Sequence, residues 1–300
     1  MTAELRIVRA GPLCTIQDDG REGLLAQGIS ASGPMDRAGH RLAGHLAGAP
    51  GSDCIEITRA GLEIEIIAGP LTLGWAGGAF TVSIDGGSAV WPGCAVLKAG
   101  ERLSITPGPS GNYGYLRFGA RLDLPPVMGS LATNTRAQLG GLDGRPIRDG
   151  DILRFKGHGV DPVQVQVPET PSGPIRFVWG IHAQHFSSVV RERFMSQNFR
   201  ITPMMDRMGV RLADEASVFS GMSNLSLVSD PILAGDIQIL GDGTPIVLMR
   251  DHQPTGGYPR IGTVIAADLD RFAQLRPGEA VAFTPVSVEH AHRMLRSGPA

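Results

Sequence analysis

Leu62-Glu63-Ile64-Glu65-Ile66 decides the fold class, because every second residue is apolar and those between are carboxylates. A period of two sends alternate side chains to opposite faces of an extended strand, one face toward the core and one toward water. Further runs predict strands at Leu5–Val8, Phe80–Ile84, Cys94–Leu97, Leu103–Thr106, Tyr113–Phe118, Val163–Val167, Ile175–Trp179, Leu225–Val228, Pro245–Met249 and Ala280–Pro285. Glycine (41) and proline (22) fall between these runs as punctuation. Asp85-Gly86-Gly87 tolerates positive φ and predicts a hairpin after the run that starts at Phe80. Many short strands at such spacing predict a mainly β fold of barrels or sandwiches rather than a doubly wound sheet.

Helices are few and short. Met35, Ala38, Leu42, Ala43 and Leu46 form one apolar stripe, with Gly48 as a stop. Phe186, Val189, Val190 and Phe194 form a second, Leu269, Phe272 and Leu275 a third, and Ser287 can cap a last helix. The stretch 156–174 is the least patterned, and a boundary near residue 165 would divide the chain into lobes 1–165 and 166–300. A Gly-acid strand entry recurs at Gly100-Glu101, Gly150-Asp151 and Gly278-Glu279, which suggests two related barrel-like lobes.

Composition excludes several classes of function. A hydrophobic content of 42% and a charged content of 19% fit a globular chain with a sizeable core. A formal net charge of −2 gives no field that would recruit nucleic acid or an anionic membrane. Three widely spaced cysteines, Cys14, Cys54 and Cys94, read as small apolar fillers in a reducing compartment. No apolar run approaches the ~20 residues that span a bilayer. The first residues carry no signal-peptide pattern, so the expected location is the cytoplasm.

The familiar catalytic motifs are absent. There is no P-loop, no G-x-S-x-G elbow and no HExxH. His182 and His185 lie three apart but have no evident third ligand, so no metal site is expected. Gly140-Gly141-Leu142-Asp143-Gly144-Arg145 follows no clear strand and reads as a loop rather than a phosphate cradle.

Four segments concentrate polar side chains. Gln17, Asp18 and Arg21 share a loop, either as a self-satisfied turn or as substrate-binding groups. Ser32-Gly33-Pro34-Met35-Asp36 precedes a helix, where Asp36 either caps the backbone or helps to bind a ligand, and Glu56, on an apolar run, needs a partner, with Arg21 the candidate. Arg207 and Arg211 can each grip a planar carboxylate, carbamate or phosphate, unless Asp206 neutralises them. The richest segment is Asp251-His252-Gln253-Pro254-Thr255-Gly256-Gly257-Tyr258-Pro259, which leaves a buried-looking strand carrying a carboxylate, imidazole, amide, hydroxyl and phenol. A simple turn does not need so many hydrogen-bonding types, so this loop is the preferred site.

These segments resemble the KipA-like carboxyltransferase family, which includes the C-subunit of 5-oxoprolinase and allophanate hydrolase subunit 2. The family's motifs appear in order at Gln17–Arg21, Ser32–Asp36, Ile55–Thr58, Gly129–Thr133, Gly140–Arg145, Gly150–Leu153, Asp206–Leu212, Gly235–Ile239 and Asp251–Pro259. The resemblance implies a cyclophilin-like β-barrel architecture without prolyl isomerase activity. It implies one component of a complex with KipI-like and LamB/YcsF-type subunits, opening 5-oxoproline to glutamate with ATP. The alternatives it carries are the carboxyltransferase component of a biotin-dependent urea carboxylase, acting on a urea-like substrate, and a non-catalytic regulatory component that binds a KipI-like partner. On the first reading Asp251, Tyr258 and Arg207 would be catalytic, Asp251 as a base or a metal-binding carboxylate. Gln253, Thr255, Gly256, Gly257, Gln17, Asp18, Arg21, Asp36 and Arg211 would bind substrate. Leu131, Ala132, Asn134, Leu240, Pro254 and Gly180-Ile181-His182 depart from the family pattern and leave the substrate open.

Overall fold

The computed structural model describes residues 2–157, 171–221 and 226–297. The expected strand Val163–Val167 and the boundary near residue 165 lie outside the described residues, as does the first residue of the expected strand Leu225–Val228. The fold is mainly β, with a nearly closed barrel sheet and, among the described residues, four short α-helices. Two compact units divide the chain, Met1–Glu22 with Ser32–Val167 and Gly23–Ala31 with Pro168–Ala300.

In the first unit the alternating run becomes the strand Leu62–Ala68, whose Leu62, Ile64 and Ile66 are buried while the glutamates between them are not. It sits in a seven-stranded sheet between Thr2–Ala10 and Arg102–Pro107, both antiparallel to it. Thr2–Ala10 is paired on its other side with Ile152–Lys156, the last described strand of the unit. The expected hairpin joins Phe80–Ile84 to Gly87–Ala89 through Asp85 and Gly86, both at positive φ. A second sheet of five strands is built around Tyr113–Phe118, which is buried along its whole length between Cys54–Thr58 and Leu71–Gly77. Isoleucine, leucine and a few aromatic side chains from both sheets fill one apolar core, and Leu5, Ile7, Ile16, Ile55, Leu73 and Phe155 are fully enclosed.

Helix α1, Arg37–Ala47, packs on the strand Leu71–Gly77. It starts two residues later than its apolar stripe suggests, because Asp36 is the cap: its carboxylate accepts from the Gly39 N–H at 2.8 Å. Gly48 ends the helix in the left-handed region.

The second unit is an eight-stranded sheet whose outermost strand, Phe283–Pro285, lies parallel to Ile175–Trp179. Its core is aromatic: the Phe194 ring stacks on Phe283 at 5.1 Å and contacts Phe177 at 5.2 Å and Phe199 at 5.5 Å. Phe194 comes from helix α2, Ser188–Ser196, capped by Ser187. Helix α3, Ala266–Ala273, buries Leu269 and Phe272, and helix α4, Val288–Ser297, begins at the Ser287 hydroxyl, which accepts from the His290 N–H. No helix among the described residues is long and apolar enough to cross a membrane.

Candidate functional site

The candidate residues divide between the two units, and those of the first serve its own backbone. Gln17 is fully enclosed. Its amide donates to the Thr133 carbonyl and the Thr15 hydroxyl at 3.0 Å each, and accepts from the Gly33 N–H at 3.1 Å. The Asp18 carboxylate receives the Gly20 N–H, the Ser130 hydroxyl at 2.5 Å and the Leu131 N–H at 2.6 Å. Arg21, also buried, donates to the carbonyls of Val127 and Ser130. These three side chains tie the loop after the first strands to the segment 127–133, more than a hundred residues away. Glu56 takes the Met35 N–H at 2.8 Å and the Tyr115 hydroxyl at 2.9 Å, and Tyr115 in turn accepts from the Asp36 N–H at 2.7 Å. Arg21, the partner the sequence suggested for Glu56, spends those donors on carbonyl oxygens instead.

The Gly140–Arg145 loop does not fit a phosphate. The N–H groups of Gly141, Gly144 and Arg145 donate to the carbonyls of Leu131, Gly140 and Leu142, and the Arg145 guanidinium grips Asp151 with two bonds of 2.7 and 2.8 Å. An ATP phosphate would find those donors already committed.

Sequence reasoning passes over a buried cation nearby. Arg117, on the central strand, donates to the carbonyls of His40 and Gly51 beyond the end of α1. His40 donates from Nε2 to the Ser52 carbonyl at 2.7 Å. Burial, reinforced by the Arg117 charge, lowers the His40 pKa to about 4. Only the spacing of a histidine on the inward stripe of α1 could have signalled this.

In the second unit the preferred loop keeps its place at the end of the strand Pro245–Leu248. Arg207 and Asp251 form a fork of two hydrogen bonds, Nε to Oδ2 at 2.8 Å and Nη2 to Oδ1 at 3.0 Å, and both side chains are buried. The Asp251 N–H also donates to the Arg207 carbonyl at 2.7 Å. The two residues expected as separate base and anion holder therefore bind one another. Arg211 lies on the strand Gly209–Ala213, half-buried, with Nη1 4.0 Å from the Met204 sulfur.

Past Asp251 the loop is stitched on both sides. Thr255-Gly256 pairs antiparallel with Asp230-Pro231, the Leu227 N–H donates to the Gly257 carbonyl at 2.7 Å, and the Ile239 N–H to the Pro259 carbonyl at 3.0 Å. Gly256 packs closely: a Cβ there would meet the Gln238 side-chain nitrogen at 2.6 Å and the tip of Ile232 at 3.1 Å, so those side chains would have to move aside. Gln253, Thr255 and Tyr258 point their side chains outward, Tyr258 with 39% of its surface exposed. Arg260 braces the far end, donating to Asp236 at 3.2 Å, to Asp230 and to the Pro231 carbonyl. Its backbone N–H approaches His182 Nδ1 at 3.4 Å.

His252, between Asp251 and Gln253, is buried and donates from Nδ1 to the Gln253 carbonyl at 2.6 Å. Burial lowers its pKa against the opposing pull of that carbonyl, Asp236 and Asp251, with Arg250 lowering it further. The sequence places it in the preferred loop without assigning it a role. His182 and His185 sit on a single 3₁₀ turn with ring centroids 5.7 Å apart, and no group of three metal-binding side chains occurs among the described residues.

The carboxyltransferase domain, subdomain A and B, matches residues 27–285. This chain belongs to that family. Across 96% of its length the carboxyltransferase chain is 35% identical to the C-subunit of Escherichia coli 5-oxoprolinase, covering 93% of that protein. The Haemophilus influenzae protein of the same name is 31% identical over 94% of the chain and 91% of its own length. Saccharomyces cerevisiae urea amidolyase is 28% identical over 98% of this carboxyltransferase chain, which spans 17% of that much longer protein. The crystal structure of Kluyveromyces lactis urea carboxylase superposes with a TM-score of 0.88 at 24% identity, covering 98% of this chain and 28% of that one, a likeness of fold.

Proposed function

We propose that this chain is the C-subunit of a cytoplasmic, ATP-dependent 5-oxoprolinase complex that opens 5-oxoproline to glutamate. The observation that carries the reading is the end-to-end match: the chain and its E. coli 5-oxoprolinase relative cover 96% and 93% of each other. The partners are KipI-like and LamB/YcsF-type subunits, and the nucleotide is held by the assembled complex away from the Gly140–Arg145 loop. A carboxyltransferase component of a biotin-dependent urea carboxylase is the second reading, favoured by the match to the yeast urea amidolyase.

An unstrained lactam resists hydrolysis, so the enzyme must place it rigidly before its carbonyl is activated. Asp251 and Arg207 serve that end as a clamp that fixes the start of the Asp251–Pro259 loop, while Arg260 fixes its end. Gln253, Thr255 and Tyr258 project from this frame and orient the substrate amide. In the first unit Gln17, Asp18, Arg21 and Asp36 act through the backbone they hold.

Reconstitution tests the reading. The chain combined with its KipI-like and LamB/YcsF-type partners is expected to convert 5-oxoproline to glutamate with stoichiometric ATP hydrolysis. Turnover should vanish when any component is omitted. Full turnover without this chain overturns the proposal.

A further inference from the structure

We propose that His252 recognises substrate directly, its Nε2 lone pair accepting a hydrogen bond from an amide-type N–H. A carbonyl oxygen can only accept, so the 2.6 Å contact with Gln253 places the hydrogen of the neutral ring on Nδ1 and leaves Nε2 unprotonated. Among the described residues the only hydrogen bond of the His252 ring is the one made by Nδ1. The residue keeps only 6% of its surface exposed, and Nε2 is not among the described side-chain atoms that are both fully enclosed and without a partner. The ring is pinned by burial and by the Gln253 carbonyl, between the Arg207–Asp251 clamp and the Thr255-Gly256 turn. An acceptor held in this way at small entropic cost suits a planar N–H donor, and a lactam and a urea both present one.

Asp251 is held in the clamp, each of its oxygens accepting one hydrogen bond from Arg207. The charged groups that act on the His252 ring are Asp236 and Asp251, which favour its protonation, and Arg250, which opposes it; burial with Arg250 outweighs the two carboxylates. Protonation would turn Nε2 into a donor and repel the substrate N–H, so KM should rise as pH falls.

The inference rests on the proposed lactam or urea chemistry, and two variants separate recognition from architecture. His252→Asn keeps an N–H toward Gln253 but lacks an atom at the Nε2 position; His252→Gln reaches that position with an acceptor oxygen and gives up the inner bond. In the reconstituted complex, His252→Asn is expected to lose roughly 10- to 100-fold in kcat/KM for 5-oxoproline, mostly through KM, with His252→Gln recovering much of it. The wild-type complex is expected to reject the N-methyl analogue by a similar factor. Rescue by Asn rather than Gln means that the ring only holds Gln253 and overturns the inference, as does wild-type acceptance of the N-methyl analogue. A wild-type complex inactive toward 5-oxoproline overturns the 5-oxoprolinase reading, and one inactive toward both 5-oxoproline and urea overturns this inference with it.

Discussion

Neutral imidazoles buried beside positive charge make the folded state acid-sensitive. The unfolded chain binds a proton at His40 near the ordinary pH of 6.5, whereas the folded protein resists it until about 4. The unfolded state therefore carries more protons throughout that window, and stability falls as pH drops through it. Above 6.5 this site costs nothing, and below 4 the loss is complete at about 3 kcal/mol. His40→Gln is expected to flatten the decline of urea-unfolding free energy between pH 6.5 and 4; an unchanged slope would show that the Arg117 cluster is not the sensor. At the same scale lie the pairings that sequence could not reveal. Arg207 and Asp251 are 44 residues apart, and nothing local distinguishes two groups that neutralise each other from two that wait for a ligand. The loop Asp251–Pro259 was legible because its chemical variety exceeds what a turn needs. Gln17 and Asp18 were equally conspicuous but face inward, where unmet backbone N–H and carbonyl groups must be satisfied.

Elements were read more reliably than side-chain roles, since periodicity registers which face is buried but not what it meets. Leu62–Ala68 and the hairpin at Asp85-Gly86 follow directly from their pattern. Tyr113–Phe118 does not alternate at all, being enclosed on both faces, one of them covered by α1. Close approach of α1 to its sheet depends on Gly74: an added Cβ would collide with the Ala43 carbonyl oxygen and stand 2.5 Å from the Ala47 nitrogen. Neither is a flexible side-chain end, so α1 would have to lift from the sheet. Gly74→Ala is expected to destabilise the protein by about 1–3 kcal/mol in urea titration. A neutral result would mean that the helix slides without cost.

For the molecule as a whole, the two units carry chemically different cores, aliphatic in the first and phenylalanine-rich in the second. Phe194, against Phe177, Phe199, Phe219 and Phe283, is the hub of the second. Phe194→Ala is expected to cost about 3–5 kcal/mol, and scanning calorimetry should then resolve two transitions, the lower from the second unit. A single transition displaced downward would show that the units melt as one.

Both units hold their opening strand with a late one: Thr2–Ala10 is bound by Ile152–Lys156, and Ile175–Trp179 by Phe283–Pro285. On the ribosome, each sheet must wait with its first strand half-paired until the closing strand clears the exit tunnel. Translation stalled a few dozen codons early would leave a nascent chain with an open edge, ready to pair with its neighbours on the same message.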